Sequence, residues 1–446
     1  MGLEADRVIA LAMGEAVLDD IHELDARRLA AANERLAEQR LTIPALDQRA
    51  REVGIDAINT RDDLVPLLFS HANYKSYPES FIAKGQWDRL SFWLDTVAAS
   101  DVRAVDVAGV EDIDGWIERL NSAGIYLWAS SGTSGKCSFI PVNDHDMELN
   151  RRISARQAKA WGDQPMPVSV LAPATASMKF AYAFRSTAEA IAAPGQISYL
   201  TQNTLRIQDS MRSAAIRKAM IDGTATPRDV EELERNTVNG AAARDDEVRA
   251  IAERIFSLRD QPQVIYGFWA PLWRILEIGK ELGIEDGTFH PGTIVAPQGG
   301  LKGLDLPDDY SDQLARFFGS VRLVSGYGMT ELCFGFRMCS DGYFHASPAH
   351  TLLILDESGE QLLEPRADGK VRGRIGIYDA GHEGHWGGIV TGDQGNANFS
   401  PLCSCGRPGP TLEDNIVRYS ELSEGGDDKL TCGGTINSYI RGAIGG

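Results

Sequence analysis

The sequence predicts an α/β fold with largely parallel sheets. Short apolar runs that read as buried strands lie at 125–129, 168–173, 264–268, 292–297 and 321–325, and helix-like stretches separate most of them. The chain has 446 residues, 43% hydrophobic and 24% charged, enough to bury a sizeable core in two or three subdomains. Its balance is acidic, with 63 Asp and Glu against 44 Lys and Arg and a formal charge of −19. That field opposes nucleic acid and anionic membranes as partners, yet a locally positive pocket can still hold an anionic nucleotide. No basic-then-apolar leader opens the sequence, and no apolar run approaches a membrane span. Six cysteines in a chain this long do not make a disulfide framework, so the expected setting is the cytoplasm, with reduced thiols.

Taken in order, the first sixty residues read as helical, because Val17, Leu18, Ile21, Leu24 and Leu29 recur at helical spacing among charged residues. The phrase Tyr74-Lys75-Ser76-Tyr77-Pro78 follows. Next, the apolar run Ile125 to Trp128 leads into the turn Ser130-Ser131-Gly132-Thr133-Ser134-Gly135-Lys136. Glycines let several N–H groups point to one place, hydroxyls add donors, and lysine adds a compact positive charge, a combination suited to a polyphosphate. The spacing departs from the common nucleotide P-loop. Only Thr133 and Ser134 separate Gly132 from Gly135-Lys136, and Cys137 stands where a magnesium-binding hydroxyl would be, which argues against a mononucleotide kinase or GTPase. The charged stretch from about 205 to 257, with Pro227 as a helix start, reads as a solvated helical insertion without chemistry. After 345, the segments His350 to Gly359 and Arg374 to Ala380 read as strands of a smaller β-rich subdomain.

Three further motifs follow strand-like runs. These are Gln298-Gly299-Gly300, Ser325-Gly326-Tyr327-Gly328-Met329-Thr330-Glu331 and Thr391-Gly392-Asp393. Open α/β sheets place their ligands at such strand ends. Tyr327 can stack on an adenine ring, Thr330 can meet a phosphate, Glu331 is a hard oxygen ligand suited to magnesium, and Asp393 can accept both ribose hydroxyls. Cys339 with His345, and Cys403 with Cys405, form two close-spaced pairs whose three thiolates and one imidazole suit structural zinc. The alternative is free thiols beside a surface histidine. Cys333 reads as a core residue or pocket wall.

In this order the four motifs resemble the acyl-adenylate-forming (AMP-binding) superfamily, and within it the phenylacetate–coenzyme A ligase and acyl-protein synthetase branch. Tyr74 to Pro78, the run Cys339 to Gly359 and Cys403-Ser404-Cys405-Gly406-Arg407 carry the closer likeness. The resemblance implies the large N-terminal domain of an adenylate-forming enzyme: two parallel-sheet α/β subdomains plus a β-rich one at about 345–426, all within residues 1–426. Residues 427–446 would be a hinge remnant and short tail, with the mobile C-terminal domain and its lysine missing. The implied activity is attack of a carboxylate on ATP to give acyl-AMP and pyrophosphate, then acyl transfer to a thiol or amine. Turn 130–136 with Lys136 would hold the β- and γ-phosphates. Thr330 and Glu331 would act on phosphate and Mg2+. Gly299, Gly300, Tyr327 and Gly328 would line the adenine, and Asp393 would hold the ribose. Tyr266, Phe268, Trp269 and Met329 would border an acid pocket suited to an aryl or long acyl group, although Trp269 and Trp273, four apart, equally fit the buried face of a helix. Cys432 is either an acyl acceptor or an incidental thiol.

The hinge arginine of the family is absent, since Gly425-Gly426 precede Asp427; Arg418 is the nearest candidate. The implied partners are ATP, a small carboxylic acid and an acyl-acceptor or lid-supplying protein; use of coenzyme A and a homodimer stay open. Two other readings remain at this stage, an acid–coenzyme A ligase and a catalytically idle nucleotide-binding scaffold.

Overall fold

The computed structural model describes residues 3–18, 20–130, 136–299, 306–319 and 326–422, apart from the side chains at 218, 221 and 236–241. The chain divides into two compact units. One comprises Met1–Ser130, Cys137–Asn150 and Gly326–Gly446, and the other Ser131–Lys136 and Arg151–Ser325.

The second unit is a doubly wound α/β layer. Its four parallel strands lie in the order Ala192–Thr201, Met166–Pro173, Val264–Phe268, Ile294–Gln298. The side chains alternate as a pleated strand requires. Leu171, Ile265 and Val295 enter one buried cluster with Phe256, Leu272 and Phe317 from the helices Pro227–Ser257, Trp269–Glu281 and Tyr310–Phe318. Val170, Ala172, Val264, Tyr266, Ile294 and Ala296 enter the other, against Phe184, Ala188 and Ile191 of Lys179–Ile191. Both faces are covered, so these strands read as near-continuous apolar runs. Helix Pro227–Ser257 begins as expected, with Pro227 in the first turn and a reciprocal Thr226–Asp229 cap. Its last turns are not a solvated insertion, because Val248, Ile251, Ala252, Ile255 and Phe256 are buried against the sheet.

The first unit carries a nine-stranded sheet whose main path runs His350–Leu355, Lys370–Asp379, Gly388–Asn398, Thr411–Leu412, Phe344–His345, Phe336–Met338, Gly326–Tyr327. Val417–Arg418 and Phe69–Ser70 both join Gly388–Asn398 off this path. All its pairings are antiparallel except Phe69–Ser70, which runs parallel to Ile389 and Val390. Thus the α/β class holds, and among the described residues parallel pairing concentrates in one sheet rather than two. The run at 125–129 also differs from a parallel strand: Tyr126–Ala129 pairs antiparallel with Phe139–Val142, a hairpin whose connection is the glycine-rich turn. At the N-terminus the helical periodicity breaks. Leu3–Met13 ends at Gly14 in the left-handed region (φ 70°), Val17 is 91% exposed, and Leu24–Gln39 starts anew. Among the described residues no helix is long and apolar enough to cross a membrane.

Two buried carboxylates hold the first unit together. Asp379 is fully buried and accepts N–H bonds from Cys333 (2.8 Å), Phe334 (3.1 Å) and Gly381 (2.9 Å), with His350 Nε2 at 3.2 Å. Burial opposes its ionisation, but His350 and the surrounding donors outweigh burial and hold its pKa well below the usual carboxylate range. Asp146 accepts N–H bonds from Asn143, Glu383 and Gly384. Burial is again overcome, here by His145, His382 and His385, and the carboxyl titrates at about 2. Gly387 is required beside Asp379, since a Cβ there would lie 2.0 Å from the Asp379 carbonyl oxygen.

Replacing Asp379 with alanine strands three buried N–H groups, and urea unfolding is expected to show a loss of roughly 3 kcal/mol. A carboxyl depressed in the folded state contributes fully above its unfolded pKa of about 3.9 and loses that contribution as pH falls through the folded value. Wild-type urea midpoints should therefore fall steeply below about pH 4, and the Asp379→Ala chain should show a shallower fall.

Candidate functional site

The Thr391-Gly392-Asp393 turn is built into Gly388–Asn398. Thr391 Oγ1 donates to the Ile375 carbonyl (2.8 Å), and the Asp393 N–H reaches the same hydroxyl (3.1 Å). Arg374, 1% exposed, donates Nη1 to the Thr391 carbonyl (3.0 Å) and Nε and Nη2 to the Glu357 carbonyl (2.9 and 2.8 Å). Its guanidinium carbon lies 3.9 Å from the Tyr419 ring centroid. The turn is thus fixed from beneath, leaving the Asp393 carboxylate 14% exposed.

Two sequence-predicted residues meet there. The Tyr327 hydroxyl donates to Asp393 Oδ2 at 2.9 Å, although the two are 66 residues apart. Burial and the Asp393 charge raise the Tyr327 pKa far above its ordinary value, so the hydroxyl stays a donor. The Tyr327 ring rests near Phe336 (5.7 Å between centroids). Arg418 pairs across the antiparallel ladder with Asp393, its Nε 3.5 Å from Oδ1. Arg418 therefore stands against the carboxylate that the resemblance assigns to ribose.

Glu331 and Thr330 lie in the turn after Gly326–Tyr327, both partly exposed. Cys333, two residues on, is buried, and its N–H on Asp379 anchors this turn. Phe69–Ser70 is parallel to Ile389–Val390, so residues 71–75 leave the sheet at the same edge as 391–393. Lys75 and Tyr74 sit in that segment. Burial lowers the Lys75 pKa, the Glu331 charge opposes this, and the Arg418 charge adds to it. Burial and Glu331 raise the Tyr74 pKa, and its hydroxyl donates to the Trp386 carbonyl (3.2 Å). Glu331, Lys75, Arg418 and Asp393 form one electrostatic neighbourhood. Arg374, Tyr419 and Lys75 escaped sequence reasoning as site residues. Lys75 was visible inside the Tyr74–Pro78 phrase, whereas nothing in sequence spacing marks Arg374 or Tyr419.

In the second unit, Lys136 is partly exposed. Gly299 closes strand Ile294–Gln298 with φ 80°, and its carbonyl accepts from Trp269 Nε1 (3.1 Å). Phe268 packs on Phe180 (4.9 Å) and Phe184 (5.3 Å) at the carboxyl end of the sheet, between strands whose chain order reverses. Tyr266 is 2% exposed and lies deeper, against Phe184 (4.6 Å) and Trp161 (5.1 Å). Trp269 and Trp273 belong to helix Trp269–Glu281 and half-bury against the apolar cluster beneath it. Gly328 and Met329 are described beside Thr330, Gly328 exposed and Met329 partly so. Ser130 anchors the hairpin: its N–H donates to the Ser138 carbonyl (3.0 Å), and its Oγ accepts from the Ser138 N–H (2.8 Å). The predicted Ser131, Gly132, Thr133, Ser134, Gly135, Gly300 and Cys432, and the strand at 321–325, lie outside the described residues.

The structure brings Cys339, His345, Cys403 and Cys405 together, with their ligand atoms all within 4.8 Å of one another. Cys405 Sγ is 3.4 Å from His345 Nε2. His345 Nδ1 lies 2.8 Å from the Pro408 carbonyl, which can only accept, so Nδ1 carries the proton and Nε2 presents its lone pair to the sulfurs. Cys339 and Cys403 each open a tight turn closed by a backbone bond, Gly342 N–H to Cys339 O (3.1 Å) and Gly406 N–H to Cys403 O (2.9 Å).

No protein-family model matches the chain, and no curated protein matches it. Solved structures do. The fold superposes on 2-hydroxyisobutyryl-CoA ligase in the postadenylation state with R3-HIB-AMP at a TM-score of 0.52 and 11% identity, over 92% of this chain and 71% of that one. On the same ligase in complex with 2-HIB-AMP and CoA in the thioesterification state the TM-score is 0.53 at 12% identity, over 90% of this chain and 69% of that one. The chain thus has the fold of these CoA ligases over about 70% of their length.

Arg374 supplies a checkable consequence. Arg374→Ala leaves the Glu357 and Thr391 carbonyls dry and removes the ring contact, and urea denaturation should show a loss of about 2–4 kcal/mol.

Proposed function

We propose that this chain activates a carboxylic acid with ATP, forming acyl-AMP and pyrophosphate, and passes the acyl group to a thiol or amine. The observation that carries this reading is the convergence of Tyr327, Asp393 and Arg418, with Glu331 and Lys75 beside them, in the fold of an acyl-adenylate-forming ligase. In this reading the Asp393 carboxylate accepts the ribose hydroxyls, and the Tyr327 hydroxyl and Arg418 hold it aimed. Tyr327 and Gly328 border the adenine. Thr330 and Glu331 offer hard oxygen donors suited to magnesium, which would neutralise phosphate charge. Lys136 and the turn before it take the terminal phosphates, and Gly299 borders the base. The aromatic residues Phe180, Phe184, Phe268 and Trp269 favour an aryl or long acyl acid. Coenzyme A is the favoured acceptor, because a structural neighbour holds it.

The Cys339, His345, Cys403, Cys405 set fits zinc in a closed, four-ligand structural site. All four donors are mutually within reach, and the His345 tautomer is set by Pro408. Such a site would clamp the loop around Cys403 to the hairpin Phe336–His345 and take no part in chemistry.

Acid-dependent exchange of pyrophosphate into ATP, measured with a panel of aryl and acyl acids, tests the activity. Exchange with at least one acid and without coenzyme A is expected; nucleotide binding with no exchange for any acid would point to an idle scaffold. Glu331→Ala should lower exchange at least about 100-fold. Asp393→Asn, which keeps shape but loses charge, should raise the KM for ATP roughly tenfold with a smaller effect on kcat. Cys403→Ser should remove one equivalent of bound zinc, measured by metal analysis of the purified chain.

A further inference from the structure

A second cluster lies apart from the four-ligand set, where Asp146, Cys333 and His382 present a carboxylate oxygen, a thiol and an imidazole nitrogen within 4.8 Å of one another. We propose that these three side chains bind a divalent cation of the zinc class at a buried site tying together the first turn of helix Asp144–Lys159, the turn after Glu331, and the segment between Asp379 and Gly388.

The donors are among the least accessible groups in the chain: Asp146 is 0%, His382 1% and Cys333 4% exposed. His382 Nδ1 is 3.4 Å from Cys333 Sγ and 3.9 Å from Asp146 Oδ1. Tetrahedral zinc, with bonds of about 2.0–2.1 Å to nitrogen and oxygen and about 2.3 Å to sulfur, sets neighbouring donors roughly 3.3–3.6 Å apart. The His382–Cys333 spacing already lies in that range, while Asp146 would have to close on the other two donors when the ion binds. A proton on Nδ1 can serve one neighbour at a time, whereas a cation at the centre serves all three.

The remaining contacts agree with ligand roles. An ionised carboxylate offers about four acceptor positions. Oδ2 of Asp146 takes the backbone N–H groups of Asn143 and Gly384, while Oδ1 takes the one backbone N–H of Glu383 (2.8 Å). The less committed oxygen is the one facing His382, with His145 Nδ1 3.7 Å from it. The Asn150 amide points Nδ2 at Cys333 Sγ (3.8 Å), a donor that favours thiolate over thiol. Binding would release the thiol proton to solvent. The donor set mixes one thiolate, one imidazole and one carboxylate, which suits zinc better than magnesium or calcium. Three protein ligands leave one coordination position for a buried water. The site shares no residue with the Cys339 cluster and does not depend on the nucleotide reading.

Metal analysis of the full chain from zinc-supplemented cultures tests this. Wild type should carry two equivalents of zinc, and Cys403→Ser, Cys333→Ala and His382→Gln one each. The cobalt(II)-substituted wild type should show thiolate charge-transfer absorption from two distinct sites, and in Cys403→Ser the absorption of a single-thiolate site should persist. A wild-type chain with one equivalent that Cys403→Ser removes would overturn the proposal, and so would Cys333→Ala retaining both. If His382→Gln fails to fold, Cys333→Ala with the wild-type stoichiometry and the cobalt spectrum still decides. A plain hydrogen-bonded network predicts no metal loss in any Cys333 or His382 variant.

Discussion

The carboxylate of Asp379 is the constraint on which the first unit depends. It sits at the end of Lys370–Asp379 without access to solvent, and a bare charge there would be prohibitive. Three backbone N–H groups and His350 make it tolerable, and in doing so they dictate geometry. Two of those N–H groups, from Cys333 and Phe334, belong to the turn that carries Thr330 and Glu331. The third, from Gly381, opens the segment leading back into Gly388–Asn398 and its Asp393. One buried charge therefore sets two of the chain segments that the proposed chemistry uses, and Gly387 exists because a side chain there would strike the same strand.

The second unit is organised by a different force. Its parallel strands alternate apolar side chains between two faces, and helices seal both. The strands end at one edge, where Gly299, Phe268 and the first turn of Trp269–Glu281 gather. Aromatic rings there contribute area and shape rather than charge.

Much of this was legible in the chain. Runs such as Val264–Phe268 and Ile294–Gln298 announce buried parallel strands, because burial on both faces removes polar alternation. Asp393 and Tyr327 were visible as members of motifs, and Cys339, His345, Cys403 and Cys405 as donors that the fold gathers, because close spacing of soft donors is a local signal. What escaped was non-local. The antiparallel pairing of Tyr126–Ala129 depends on Phe139–Val142, and a four-residue run carries no sign of its partner's direction. Arg374 looks like any strand arginine until Tyr419 and Glu357 are brought to it. The helical periodicity through Val17 failed because Gly14 ends the first helix, which spacing alone does not weigh.

Helix Leu24–Gln39 has a consequence for synthesis. Arg28 donates to the carbonyls of Ser347 and Pro348, Arg35 to that of Ala380, and Gln39 to those of His382 and His385, partners more than three hundred residues downstream. As the chain leaves the ribosome, these donors emerge long before their acceptors exist. These bonds cannot form until residues 347–385 have been made. Contacts of such length slow assembly and leave the early segment exposed meanwhile. Until then water can satisfy the arginine and glutamine donors that later turn inward.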